Sequence, residues 1–330
     1  MAGILSVGPI RLSRRCCRKR NFIIFGSQAQ KDCLGYGGLW SYHVGERSNF
    51  PRSHVKVSVL ILTLNEEINI AACLGTLSWS DDIVVLDSFS SDATTGIAAE
   101  HGARVVQRTF DTYSTQRNFG LTGIAYRNEW LLMIDADERV PEELKTEILA
   151  FVANPPADIT LCLMRRRDHL YGRWIRHSSG YPTWFGRLGR LGHVWVERPI
   201  NEEYHTRGKT VQLRGNLDHY PFNKGFAEWF AKHDRYSTSE AALKFSRKRD
   251  RPHWRELLSR NPLQHRKNLK SLAYMLPGRP LLMFVALYIV KGGFMEGRAG
   301  LTFSLLRVWY EFVIDIKVHE LQRRERGLPV

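Results

Sequence analysis

The 330-residue chain contains no run of ~18 apolar residues, the length a helix needs to cross a bilayer. Its longest pure apolar run, Leu281 to Val290, is ten residues and stops at Lys291. Cysteine is scarce too. Cys16, Cys17, Cys33, Cys73 and Cys162 are odd in number and form no C-x-x-C pair, which argues against a disulfide framework or structural zinc site and for a reducing compartment. Neither G-x-G-x-x-G nor G-x-x-x-x-G-K-[ST] occurs, so a bound nucleotide would have to be held without a glycine-rich phosphate loop. There is no helix-turn-helix or zinc-finger spacing and no basic-aromatic RNA-binding pattern, so no nucleic-acid partner is expected. The basic run Arg14–Arg20 is followed by only four apolar-leaning residues, Phe22 to Phe25, which argues against a secretory signal.

What is present describes a globular enzyme-sized chain, 43% apolar and 25% charged. The net charge of +15 is concentrated in two places. Residues 1–54 hold nine Lys/Arg against two Asp/Glu, and residues 244–270 hold ten against two. Such patches attract anionic lipid or phosphorylated substrates. The first 54 residues are too charged and glycine-rich for a core and read as a disordered basic extension.

From Val55 the pattern becomes α/β. Apolar strand runs at 57–62, 83–86, 103–106 and 130–134 alternate with helices about ten residues long. Asn65 is placed to cap the first helix, Asp92 the second, and Pro141 opens a later one. This alternation predicts a mostly parallel sheet with right-handed crossovers, whose ligand lies beyond the carboxyl ends of the strands. Asn65, Asp87 and Asp135 all follow strand ends and are expected to line one crevice.

Asp135-x-Asp137 is the sharpest chemical signal, because two carboxylates one residue apart on a bend suit a hard divalent cation. An aspartate after a strand also serves as a helix cap, so the motif gains meaning from its company. Asp87, at the end of the second strand, suits a hydrogen bond to a ribose or base.

Four segments, S-V-L-I-L-T-L-N-E-E at 58–67, V-V-L-D-S-F-S-S-D-A-T at 84–94, Q-R-N-F-G at 116–120 and L-M-I-D-A-D-E at 132–138, occur in an order and spacing that resembles family 2 glycosyltransferases of the GT-A fold. Within that family the chain is similar to the branch of lipopolysaccharide-core and surface-polysaccharide glucosyltransferases, over about residues 55–320. The resemblance implies a nucleotide diphosphate sugar donor, a glycolipid or glycan acceptor and a divalent cation, Mn2+ or Mg2+. It places Asn65, Glu67, Asp87, Arg117 and Asp135 at the nucleotide sugar. Asp137 becomes a metal ligand, with Asp135 and His219 as further candidates. Many relatives carry two acids after the second strand, whereas here Ser88 follows Asp87.

The same resemblance puts Glu202 at the catalytic base, with Asn201 where the branch has histidine and Glu203 as the fallback. A carboxylate there would take the acceptor hydroxyl's proton. Arg165, Arg166 and Arg167 offer either a phosphate contact or a solvated face, and Trp184 and Trp229 either sugar stacking or core packing. The expected organisation is an extension over 1–54, a GT-A catalytic domain over 55–243 with donor and acceptor halves meeting near 165, and a basic, amphipathic helical tail over 244–330. Apolar helix faces interrupted by Lys291, Arg298, Arg307 and Lys317 suit an anionic membrane surface, so the enzyme is expected in the cytoplasm, peripheral on the inner face of a bacterial plasma membrane. The rivals are a sugar-nucleotide nucleotidyltransferase, whose glycine-rich opening loop is missing, and a non-catalytic membrane- or nucleic-acid-binding protein.

Overall fold

A strand covered on both faces by helices has no polar side, and the apolar runs above behave in this way. The structure, a computed structural model, describes residues 57–198, 202–247 and 278–330, together with a two-residue strand, Trp40–Ser41 (β1). The basic extension apart from β1, Asn201, and the basic stretch beyond residue 247 lie outside the described residues.

Strands β2 (Ser58–Thr63), β3 (Ile83–Asp87), β4 (Arg104–Gln107) and β5 (Trp130–Asp135) pair in parallel in the order β4-β3-β2-β5. Between them run helices α1 (Glu67–Gly75), α2 (Thr94–Glu100) and α3 (Tyr113–Thr122). Beyond β5 come the short strand β6 (Glu138–Arg139), helix α4 (Glu142–Ala153), β7 (Ile159–Leu170), β8 (Arg173–Trp174) and β9 (Trp184–Arg190). A two-stranded ribbon, β10 (Val194–Glu197) with β11 (Glu203–Thr206), precedes β12 (Lys209–His219). The main sheet continues from β5 through β9, β7 and β12 to β1, and β9 is inserted antiparallel between β5 and β7. The expected mostly parallel sheet is therefore present, and β6, β8 and β9 join it antiparallel.

Successive strand residues bury to opposite faces. Val59, Ile61, Leu132 and Ile134 pack with Ile70, Leu144 and Phe151 of α1 and α4. Leu60, Leu131 and Met133 pack with Leu121 of α3 and Val194 of the ribbon. Helix α3 approaches β2 so closely that a Cβ on Gly120 would lie 2.3 Å from a methyl of Leu60. A glycine is what lets that helix carry its functional residues down to the strand ends.

The expected Asn65 cap does not form. Helix α1 starts after Glu66 with no side-chain cap, and Asn65 takes φ 54° to turn the chain sharply off β2. Asparagine tolerates that left-handed geometry. Its amide oxygen accepts from Ser91 N–H (2.8 Å) instead, tying two strand-end loops together. The expected Asp92 cap does not form either: Ala93 is the N-cap of α2, and Asp92, one residue earlier, accepts from Thr94 N–H (3.0 Å) and from Glu67 N–H at the start of α1 (3.1 Å).

The boundary expected at 243 falls inside a continuous helix, α5 (Gly225–Arg247). The C-terminal segment forms a helical turn, Arg279–Phe284, a wider π-type turn over Val285–Val290, and a long helix, Gly297–Glu325. One face of this long helix packs on α5, with Trp309 against Trp229 and Phe230 and Lys317 on Asp234 (2.6 Å). Glu296 anchors its start to the β8–β9 loop by accepting from His177 N–H (2.6 Å) and Ser178 Oγ (2.6 Å). The other side leaves Leu281, Ile289, Val290, Phe294, Met295 and Phe312 exposed. Among the described residues no single helix is long and apolar enough to cross a membrane, whereas Arg279–Val290 and Gly293–Glu325, bent by 69°, reach that length and apolarity as a pair.

Candidate active site

The carboxyl ends of β2, β3, β5 and β12 open into one crevice, and α3 supplies three consecutive residues that knit it together. Gln116 donates to Ser88 Oγ in the loop after β3 (3.2 Å). Asn118 makes a strand-like pair with Val196 of β10, donating to its carbonyl (2.7 Å) and accepting from its N–H (2.8 Å). This pair docks the ribbon on α3 and brings Glu202 within reach of Arg117. Arg117 is buried and donates from Nε to Glu202 Oε1 (2.6 Å) and from Nη2 to Asp135 Oδ1 (2.6 Å).

Asp135 is held from a second side. Arg187 on β9 donates to its Oδ2 (3.0 Å) and to Glu138 Oε1 (2.7 Å), while Glu138 Oε2 accepts the Asp135 N–H (3.0 Å). Loss of water alone would raise the Asp135 carboxyl, but the Arg117 and Arg187 guanidinium groups outweigh it and hold the acid well below the usual carboxylate range. The second carboxylate of the motif has different surroundings. Asp137 Oδ2 faces His219 Nε2 at 3.3 Å, and His219 Nδ1 meets Asp168 Oδ1 at 2.7 Å, directly across the β12–β7 register. Burial and Arg166 push the imidazole down, but Asp137 and Asp168 prevail and lift it to about 9.

Asp137 Oδ1 is buried and finds no hydrogen-bond partner among the described residues. The unpartnered oxygen of Asp137 suits a hard divalent cation, whereas His219, with Nε2 on Asp137 and Nδ1 on Asp168, has no ring nitrogen left to ligate one. Among the described residues no cluster of three or more His, Cys, Asp or Glu could hold a metal ion, so protein atoms would supply part of the coordination and phosphate or water the rest. Asp135, with both oxygens on guanidinium groups, fits a positioning role better than metal ligation.

Asp87 is fully buried and accepts from Thr63 Oγ1 (2.9 Å), Ser90 N–H (2.8 Å), Ser90 Oγ and Gln107 Nε2 (3.2 Å). It therefore shapes the loop that contains Phe89, an exposed aromatic residue in the strained left-handed region at φ 61°. Asn65 lies exposed on the loop after β2 and Glu67 exposed in the first turn of α1, where its Oε2 accepts from Ala93 N–H (3.1 Å). Glu203, the fallback base, is exposed on the ribbon and faces Arg198 at 3.7 Å rather than the crevice cluster.

Other expectations resolve differently. Arg166 and Arg167 are not a free solvated face: Arg166 pairs with Asp168 (3.1 Å) and Arg167 with Asp218 (2.6 Å). Trp229 is core, buried between Phe222, His233 and Trp309. Trp184 is half-buried under Arg165, 5.2 Å from its ring centre. Residues the sequence reasoning missed are Arg187, Glu138, Asp168, Asn118, Glu66 and Lys232. The usable signal was Arg187 itself, a charged residue between glycine and leucine in a core-like strand. Glu66 carries a carboxyl raised by burial and by Asp137, and pairs with Lys224 (3.0 Å).

Residues 58–226, half of the chain, match the family model described as glycosyl transferase family 2. An uncharacterized glycosyltransferase of Rickettsia typhi is 24% identical over 287 residues, covering 83% of this chain and 90% of that protein. The lipopolysaccharide core biosynthesis glycosyltransferase LpsC of Rhizobium meliloti is 24% identical over 273 residues, covering 80% and 92%. Among solved structures, glucosyl-3-phosphoglycerate synthase of Mycobacterium tuberculosis with Mg2+ and uridine diphosphate gives a TM-score of 0.37 at 16% identity over 55% of this chain and 78% of that one. The family match takes in the crevice carboxylates on β3 and β5, Arg117 and the ribbon that carries Glu202, and the sheet order around them is that of a GT-A fold. This chain belongs to glycosyl transferase family 2 and is an enzyme of nucleotide-sugar glycosyl transfer.

Proposed function

We propose that this glycosyltransferase moves a sugar from a nucleotide diphosphate sugar to a hydroxyl of a glycolipid or growing polysaccharide, with inversion and with dependence on Mn2+ or Mg2+. The carrying observation is that Arg117 holds both Asp135 and Glu202, while Asp137, two residues after Asp135, keeps a buried carboxylate oxygen without a partner. A cation bound at Asp137 would neutralise charge on the diphosphate. Arg117 fixes Glu202 through Oε1, which leaves the other oxygen to take the acceptor hydroxyl's proton as that hydroxyl attacks the anomeric carbon. The loops ordered by Asn65, Glu67 and Asp87 would flank the nucleoside.

Two observations favour an acceptor embedded in a membrane, with the enzyme peripheral on the inner face of a bacterial plasma membrane. The similar Rhizobium meliloti protein is named for lipopolysaccharide core biosynthesis. The bent C-terminal segment exposes large apolar residues from Leu281 to Phe312, as an interfacial helix would. Nucleotide release from a panel of nucleotide sugars, measured with Mn2+ and with EDTA, tests the enzyme reading. Turnover is expected to require metal and to disappear in Asp137→Ala with little change in melting temperature. Full activity in EDTA, or in Asp137→Ala, overturns the metal role. Sedimentation with anionic but not with neutral vesicles tests the membrane reading, and failure to bind either refutes it.

A further inference from the structure

Polar groups that fold without a partner mark what a site is shaped to receive. In this crevice the orphans carry both signs. Asp137 Oδ1 is an anion without a partner, and Arg117 Nη1 is a buried cationic nitrogen without one. A third comes from α5. Lys232 is half-buried, and its ammonium makes no hydrogen bond or ion pair among the described residues. It lies 5.9 Å from the Tyr236 ring centre, and Tyr236 in turn donates its hydroxyl to Tyr113 at the start of α3. Burial disfavours the charged form of Lys232, but the longer-range fields of Asp137, the Tyr113 hydroxyl, Asp135 and Glu66 outweigh this and raise it above the usual lysine range. The neighbouring lysine of this segment, Lys224, is already engaged by Glu66 (3.0 Å) and Leu64 O (3.2 Å). Residue 232 also falls beyond the family-matched segment, which ends at residue 226.

A bare divalent cation would satisfy Asp137 and leave the lysine and the guanidinium nitrogen unpaired. A bare anion would do the reverse. A diphosphate carrying its cation answers all three. We propose that Lys232 is a diphosphate-binding residue of the donor site, presenting its ammonium to the distal phosphate, the one that bears the sugar. The inference rests on the nucleotide-sugar reading above and adds to it a residue from the helix outside the matched segment. On transfer, the acceptor oxygen bonds to the anomeric carbon as the bond from that carbon to the phosphate oxygen breaks. The bonding pair stays on that phosphate oxygen, and the acceptor proton passes to Glu202. Negative charge thus grows on the oxygen facing Lys232, where a fixed cation favours the transition state over the ground state.

The test compares full-length wild type, Lys232→Met and Lys232→Arg by calorimetric titration with uridine, guanosine, adenosine and thymidine di- and monophosphates in Mn2+. The expected result is a 10- to 100-fold loss of diphosphate affinity in Lys232→Met, in the range of a charge-assisted hydrogen bond, with monophosphate affinity kept. Lys232→Arg is expected to restore most of it. Equal losses for di- and monophosphate, or no loss at all, overturn the inference while leaving the donor reading intact. Absence of diphosphate binding by wild type overturns the donor reading and this inference with it. If Lys232→Met does not fold, Lys232→Gln against Lys232→Arg makes the same comparison.

Discussion

Glu138→Ala isolates the charge network beneath the crevice. Glu138 is fully buried, with Oε2 on the Asp135 N–H (3.0 Å), Oε1 on Arg187 (2.7 Å) and Arg166 at 3.8 Å. Removing one partner of a buried ion pair costs about 3–5 kcal/mol, because the other charge is stranded away from water. Arg187 would keep Asp135 Oδ2 at 3.0 Å, which places the loss near the lower end. The Asp135 amide, left unpaired, adds about 1 kcal/mol. Together these give about 4 kcal/mol, or a melting temperature lower by about 6 °C for a chain of 330 residues. Urea unfolding followed by circular dichroism reads it as a lower midpoint at unchanged slope. Arg187→Met removes the stranded charge, so the double variant is expected to be more stable than the sum of the single losses by about 1–3 kcal/mol. A Glu138→Ala loss under 1 kcal/mol, or strict additivity with Arg187→Met, refutes the reasoning.

Glu202→Gln keeps the Arg117 contact but loses the proton acceptor, so kcat is expected to fall ~10²–10⁴-fold with nucleotide affinity unchanged; a dead Glu203→Gln beside an active Glu202→Gln would reassign the base. His233, stacked on Trp229 at 3.7 Å, is held down to about 4 by burial, with Lys232 and Arg307 adding to the effect. Its folded value lies below the unfolded one near 6.5, so the unfolded chain binds the extra proton and stability falls as pH drops from 6.5 to about 4. Thermal melts across that window are expected to be flatter in His233→Phe, and identical slopes would exclude this histidine as the cause.

The parts legible in the sequence were those set locally. A strand run and the acid that ends it lie within a few residues, so strands β2, β3 and β5 and the positions of Asp87, Asp135 and Asp137 at or just beyond their ends followed from pattern alone, whereas the order of the strands did not. Arg117 was found through its motif, yet Asn118 beside it was passed over, because its partner Val196 is 78 residues away. Arg187 and Asp168 were passed over for the same reason, although Arg187 stands out as a charge in a core-like strand. Each acts across a strand pairing, β5 with β9 and β12 with β7, whose register no local pattern records. The tail was read as facing a membrane surface. It has one side packed on α5 and one exposed, since a long helix presents two faces at once.

Which carboxylate is free to act is a separate question from where the carboxylates lie, and only tertiary structure answers it. All three acids were expected to hold part of the ligand, but their partners differ. Asp87 is saturated by four protein donors and Asp135 by two guanidinium groups, whereas Asp137 retains an oxygen with no partner among the described residues. A ligand at Asp137 displaces nothing. A base at Asp87 must first exchange with Ser90 or Gln107, which would loosen the loop holding Phe89 in its left-handed turn. The same carboxylate type therefore does opposite work at two strand ends: at Asp87 its charge is consumed in holding the loop, and at Asp137 it is kept for what binds.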